Sequence, residues 1–184
     1  MSKLYVSIGA LKAQGIRDRV SKGYDVIAYE PENQNYQNYQ KLLVKKAYKD
    51  RLICYRKAVG SYAGKVLLRV SGTGDGGSST ILESLSDFRE SYYVEIVTLD
   101  SILEPLLEVN TLDVDCEGAE IDIILGASLK NLQKCKRILV EFHKHYPQLQ
   151  QTDEMIQNCI KRLEPLFEVN NCRTYHPNYI FYRK

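Results

Sequence analysis

The sequence predicts an α/β fold: a mostly parallel sheet covered by helices on both faces. Three observations carry that expectation. Short β-rich runs alternate with longer segments whose apolar residues recur at helical spacing. Glycine and acidic residues gather at the ends of those runs, where an open α/β sheet binds its ligands. Two late runs, 166–169 (LFEV) and 179–182 (YIFY), are close enough to close the sheet as an antiparallel hairpin.

Residues 3–8 (KLYVSI) form the first strand, broken at Gly9, and 10–22 form a helix. Residues 25–29 (DVIAY) are the second strand, closed by Glu30 and Pro31. Pro31 suits a first helical position, where a missing N–H costs nothing. Tyr36, Tyr39, Leu43, Val44 and Ala47 then fall on one helical face, which makes NQNYQNYQ at 33–40 a surface helix. Residues 51–55 (RLICY) are a third strand. GKVLLRVSG at 64–72 pairs with YYVEIVTL at 92–99 across turn material, GTGDGGSS. Residues 111–115 (TLDVD) and 137–142 (RILVEF) flank one helix with Ile121, Ile124, Leu125, Leu129 and Leu132 on its buried side. Thr152 is the expected N-cap of a last helix, with Asp153 and Glu154 near its positive dipole end. Met155, Ile156, Cys159, Ile160 and Leu163 make its buried face.

A length of 184 residues, with no repeat and no linker, predicts a single domain over 1–184. Hydrophobic content of 44% and charged content of 26% exclude a disordered or collagen-like chain. Twenty-five basic against 23 acidic residues leave a net charge of +2, too little for phosphate-dominated binding, so no nucleic-acid partner is expected. No apolar run approaches the ~20 residues of a membrane span. The start, MSKLYVSIGALK, lacks a signal core. Five cysteines scattered singly read as free thiols, so a cytoplasmic location is expected.

The chemistry lies at the strand ends. Gly9 follows the first strand, where a missing side chain lets backbone N–H groups approach a ligand. Glu30 ends the second strand, 21 residues later, the position of a carboxylate that holds two ribose hydroxyls. Asp115, Cys116, Glu117 and Gly118 follow the strand at 111–115, and Glu141 and His143 close the strand at 137–142. The first turn lacks the second glycine of G-x-G-x-x-G, which argues against a nicotinamide dinucleotide.

The blocks IGA (8–10), YEPENQN (29–35), AVG (58–60), GGSS (76–79), VTLDSIL (97–103), VDCEGAE (114–120) and ILVEFH (138–143) occur in an order that resembles the FkbM family of methyltransferases. The resemblance spans roughly residues 4–145 and is carried most specifically by VDCEGAE preceded by TLD. It implies a Rossmann-like class I methyltransferase fold, S-adenosylmethionine as donor, and O-methylation of a sugar, glycan or secondary-metabolite hydroxyl. Ser7 and Leu11 stand where the family's first loop has aspartate and asparagine, Ala13 where it has a later glycine, and Asp113 where it often has lysine. The alternative reading is therefore a methyltransferase-like binding or scaffold module with a degenerate cofactor loop. Gly15 is a second candidate for the tight turn.

On this reading Ser7, Gly9, Ala10, Glu30 and Asp115 are expected to bind the donor. Asp115, Glu141 and His143 are the expected catalytic residues. Glu141 and His143 are two apart on a strand and share a face. Histidine suits neutral-pH proton removal, so His143 is the expected general base, with Glu141 as its orienter or a substrate ligand; the bland alternative is a hydrogen-bonded strand end. A divalent ion on oxygen ligands such as Asp115 and Glu141 is a further option, although no metal is predicted. Ser78 and Ser79, beside Gly76 and Gly77, read either as a lid over the acceptor or as a hairpin turn. Glu117 is a substrate-binding candidate or a helix-entry residue, and Glu120 is expected to be solvated or capping.

Overall fold

The computed structural model describes residues 3–9, 13–71, 79–81, 88–144, 149, 151–173 and 177–184. Its main sheet has seven strands: β1 (Lys3–Ile8), β2 (Tyr24–Tyr29), β3 (Leu52–Tyr55), β8 (Thr111–Val114), β9 (Arg137–Glu141), β10 (Phe167–Arg173) and β11 (Pro177–Arg183). Their order is β10-β11-β9-β8-β1-β2-β3. The five from β9 to β3 run parallel, and β11 lies antiparallel to both β9 and β10. The order reverses at β1, whose neighbours are β2 on one side and β8 on the other. That reversal opens a crevice at the carboxyl ends of β1 and β8.

Alternation along β1 builds two cores. Tyr5 faces α1 (Ala13–Ser21) and α2 (Asn33–Leu43), and packs with Ile16, Val20, Tyr39 and Leu42. Val6 and Ile8 face the opposite core, which includes residues of α4 (Leu99–Leu103), α5 (Glu120–Gly126) and α7 (Asp153–Leu163). A second sheet, in the order β4-β7-β5-β6, is built from β4 (Ala58–Gly60), β5 (Gly64–Ser71), β6 (Ser79–Thr80) and β7 (Phe88–Thr98). The paired runs expected at 64–72 and 92–99 are the antiparallel pair β5 and β7.

Local chemistry explains where the helices depart from expectation. Glu32, not Pro31, starts α2: its side chain accepts from Asn35 N, leaving Pro31 outside the helix. The helix ends at Leu43, and the chain turns into a separate four-residue helix, α3 (Lys46–Lys49). The expected stripe therefore breaks. Val44 is 84% exposed, and Leu42 is buried in its place beside Tyr39. The single helix expected after β8 is two, because Ser128 caps α6 (Leu129–Leu132) by accepting from Asn131 N. Leu125 points outward and Ile123 inward. In α7 the Thr152 cap accepts from Met155 N, and Ile156, Cys159, Ile160 and Leu163 are buried as the 3.6-residue period requires. Met155 lies off that stripe and is exposed.

Candidate active site

Backbone bonds tie the end of β1 to β2 on one side and to β8 on the other. Gly9 N donates to Tyr29 O at 2.9 Å, and Asp115 N donates to Ile8 O at 3.0 Å. Gly9 has φ +77°, and a Cβ there would stand 1.8 Å from Asp115 O. The missing side chain thus makes room for the Asp115 carbonyl. That is a different reason for glycine from the ligand approach expected of it, although Gly9 still lines the crevice. Gly15 lies within α1 with nothing within 4 Å of its would-be Cβ, so it is not the turn glycine.

The crevice holds a narrow cavity of about 40 Å³ that opens to solvent. One wall is apolar: Ile8 and Tyr29 from the main sheet meet Ala58, Val59, Leu68 and Ile81 from the second sheet. Glu30 lies at one side, and Asp115, Cys116 and Glu117 lie at the other. Glu30 is 3% exposed, and its carboxylate accepts from Glu32 N at 2.8 Å. No salt bridge reaches it among the described residues. Burial pushes its carboxyl up to about 8, the Glu32 charge adds to this, and the Glu32 N–H and Asn35 oppose it. The lining combines apolar side chains, a buried carboxylate and further acidic groups, chemistry that could hold a nucleoside.

A pH dependence follows. The folded pKa of Glu30 lies above the ordinary glutamate value of 4.5, so between that value and about 8 the folded state holds a proton that the unfolded chain has released. Stability then falls as pH rises through this window, by up to about 1.4 kcal/mol per unit, and levels off above it. Glu32, Tyr39 and Cys54 are the titratable groups facing Glu30; burial raises the latter two out of the window. Glu30→Gln is expected to flatten the decline. Urea melts across the window check this, and an undiminished slope in the variant assigns the proton to another group.

Across the crevice, the loop after β8 wraps around Glu120. This carboxylate is 0% exposed. It accepts from Cys116 N at 2.9 Å and from Gly118 N at 3.1 Å, and Gln151 Nε2 donates to it at 2.5 Å. His143 Nδ1 lies 3.0 Å from the same carboxylate. Burial opposes its charge, but the bonds from His143, Gly118 and Cys116 prevail and hold Glu120 below the usual carboxylate range. Glu120 is therefore not solvated. An ionised carboxylate only accepts, so Nδ1 carries the hydrogen.

His143 is buried, and Gln151 Oε1 accepts from its backbone N–H at 2.7 Å. Its Nε2 lies 3.4 Å from Asp115 Oδ1 and 3.6 Å from Glu117 Oε2. Burial lowers its pKa, but the carboxylates of Glu120, Glu117 and Asp115 reverse this and raise it. Asp115 is raised by burial and by the Glu141 charge. Glu117 holds a left-handed φ of +54°, the one non-glycine residue of this kind among those described. Asp115, Glu117 and His143 could hold a metal ion, since one ligand atom from each lies within 4.8 Å of the others.

The structure thus brings Gly9, Glu30, Asp115 and Glu117 to one crevice, with His143 buried behind Asp115 and Glu117 and not itself lining it. Glu141 faces Asp115, but the carboxylate orienting His143 is Glu120. The reason is local: β9 ends at Glu141, and Phe142 and His143 are both buried, so strand alternation does not carry on to His143. Ser7 sits inside β1 between Ala28 and Asp113 and is not among the cavity's lining residues. Ser79 opens β6 opposite Val70. Ala10, Leu11, Gly76, Gly77 and Ser78 lie outside the described residues, so the lid reading does too. Sequence reasoning missed Gln151 and undervalued Glu120. The E-G-x-E spacing that returns a glutamate to its own loop was the available signal for Glu120.

An open sheet with this strand order, a reversed strand beyond the parallel five and a crevice at its switch point is the Rossmann-like class I methyltransferase fold. The family described as the methyltransferase FkbM domain matches residues 7–163, and the chain belongs to that family. Among solved structures, a methyltransferase FkbM from Methylobacillus flagellatus KT superposes with a TM-score of 0.66 at 16% identity. The match covers 98% of this chain and 43% of that one, so this chain spans less than half of its neighbour's length. The N-terminal domain of EvdMO1, solved in the presence of SAH and D-fucose, gives 0.51 at 9% identity over 100% of this chain and 77% of that one. Precorrin-6y C5,15-methyltransferase from Geobacter metallireducens GS-15 gives 0.51 at 11%, over 100% and 81%. No curated protein matches the chain. Among the described residues no helix is long and apolar enough to cross a membrane.

Proposed function

We propose that the chain is an S-adenosylmethionine-dependent O-methyltransferase acting on a hydroxyl of a sugar, glycan or secondary-metabolite acceptor. One observation carries the reading: a single crevice joins an apolar slot ending in the buried Glu30 to the Asp115–Glu117–His143 cluster. Bound donor supplies an electrophilic methyl group for direct displacement by the acceptor oxygen. Glu30 accepts from the donor ribose, and the Ile8, Tyr29 and Val59 wall excludes water from its base. Asp115, Glu117 and His143, with Glu141 beside Asp115, face the acceptor hydroxyl. Positioning the two partners in a dry site supplies most of the acceleration. The presence of D-fucose in the EvdMO1 structure supports a sugar among the possible acceptors. The thiols of Cys54, Cys116, Cys135 and Cys159 are free, which suits a cytoplasmic location. We further infer that 1–184 acts as one domain.

Thermal melts with S-adenosylhomocysteine test the reading. Ligand at about 100 times its dissociation constant is expected to add about 2.7 kcal/mol of stability. Glu30→Ala is expected to lose at least tenfold in donor affinity, whereas His143→Ala keeps donor binding and loses turnover. A melting curve unmoved by both donor and demethylated product would favour the scaffold reading, to which Ser7 in place of the loop aspartate already points.

A further inference from the structure

We propose that Asp115, Glu117 and His143 form a binding site for a divalent cation of the Mg²⁺/Mn²⁺ class. The geometry comes first. His143 Nε2 stands 3.4 Å from Asp115 Oδ1 and 3.6 Å from Glu117 Oε2. Two ligands at right angles on an ion with bonds of ~2.1 Å stand ~3.0 Å apart; the two His143 contacts are close to that spacing, and the two carboxylates would be drawn in by the ion to complete one face of an octahedron. All three ligand atoms lie within 4.8 Å of one another.

The surroundings point the same way. Glu120, fully buried, holds Nδ1 at 3.0 Å and so turns Nε2 toward Asp115 and Glu117. A carboxylate on the far nitrogen is the usual outer support of a metal-bound imidazole. Three carboxylates, those of Asp115, Glu117 and Glu120, surround one imidazole. Two carboxylate oxygens and one imidazole suit Mg²⁺ or Mn²⁺ better than Zn²⁺, whose structural sites favour nitrogen and sulfur. The Asp115 and Glu117 side chains are 41% and 21% exposed, which leaves a path for the ion and open positions toward the cavity. In this arrangement His143 is a ligand and not the free base expected from its place after a strand. An ion there would hold the acceptor hydroxyl and ease loss of its proton. That last role rests on the function proposed above; the ion site itself does not.

The test is calorimetric titration of the chelator-treated full chain with Mn²⁺, with and without saturating S-adenosylhomocysteine. One saturable site per chain is expected, retained when the nucleoside is bound. Asp115→Asn and Glu117→Gln are each expected to weaken Mn²⁺ at least tenfold while keeping the wild-type far-ultraviolet circular dichroism spectrum, which shows that they fold. A measurement on the unmodified sequence needs no variant: in ¹⁵N-histidine-labelled protein, substoichiometric Mn²⁺ should broaden the His143 ring signals before those of His145 and His176. No saturable binding at millimolar Mn²⁺, undiminished affinity in both variants, or absence of that broadening overturns the site. Competition between Mn²⁺ and S-adenosylhomocysteine also overturns it, because the acidic cluster would then serve the donor's own positive charge. Mn²⁺ binding without any S-adenosylhomocysteine shift sinks the methyltransferase reading and leaves the ion site standing.

Discussion

Replacing Glu120 with alanine is expected to lower the unfolding free energy by about 3–5 kcal/mol, the usual cost of breaking a buried charged pair. The carboxylate serves four donors at once: the N–H groups of Cys116 and Gly118, the Gln151 amide and the His143 ring. Alanine leaves all four facing a cavity, and each buried donor without a partner is itself expensive. The loop from Asp115 to Gly118 loses the group it folds around, so the acceptor side of the crevice should loosen together with the fold. Glu120→Gln keeps the volume but turns an NH₂ group toward donors, and is expected to recover only a minor part. Denaturant melts followed by circular dichroism measure both variants. Wild-type stability in Glu120→Gln would show that shape, and not charge, organises the loop.

Gly9→Ala is the second large effect, expected at about 2–5 kcal/mol. Left-handed φ costs an alanine about 1–2 kcal/mol, and overpacking adds about 1–3. The contact cannot be relieved by a flexible side chain, because the atoms met are Asp115 O at 1.8 Å, Asp115 C at 2.7 Å and Cys116 Cα at 2.9 Å, all backbone. Either the β1 end or the β8 loop must move. With it would go the bonds from Gly9 N to Tyr29 O and from Asp115 N to Ile8 O. Donor affinity should fall at least tenfold alongside stability. Gly15→Ala is the control: it lies in α1 with open space around it, and should gain about 0.5–1 kcal/mol from helix propensity. Equal effects at the two glycines would remove the steric account of position 9.

The two glycines also show where reading residues in order stops working. Position 9 was legible as a turn because β1 is a six-residue apolar run that must end there. The reason it must be glycine was not, since the atom it would strike belongs to a residue 106 positions later. Glu30 was legible for the same cause: it closes β2, and strand ends of a parallel sheet share one edge. Glu141 and His143 show the opposite case. Their spacing of two implied a shared face, but strand geometry ends at Glu141, and His143 turns to the carboxylate of α5.

What the amino-acid order determined alone was local: the strands from short β-rich apolar runs, the helices from 3.6-residue stripes and caps, and hence a doubly wound sheet whose switch point collects Gly9, Glu30 and Asp115. Those properties depend on neighbours a few residues apart, so they survive without knowledge of the rest of the chain. Tertiary structure decided which buried carboxylate faces which donor. Glu120, Gln151 and His143 come from α5, the segment before α7 and the end of β9, and only packing sets them within 3.0 Å of one another. Burial then decides their charge, because the free energy of an ion depends on what surrounds it in space.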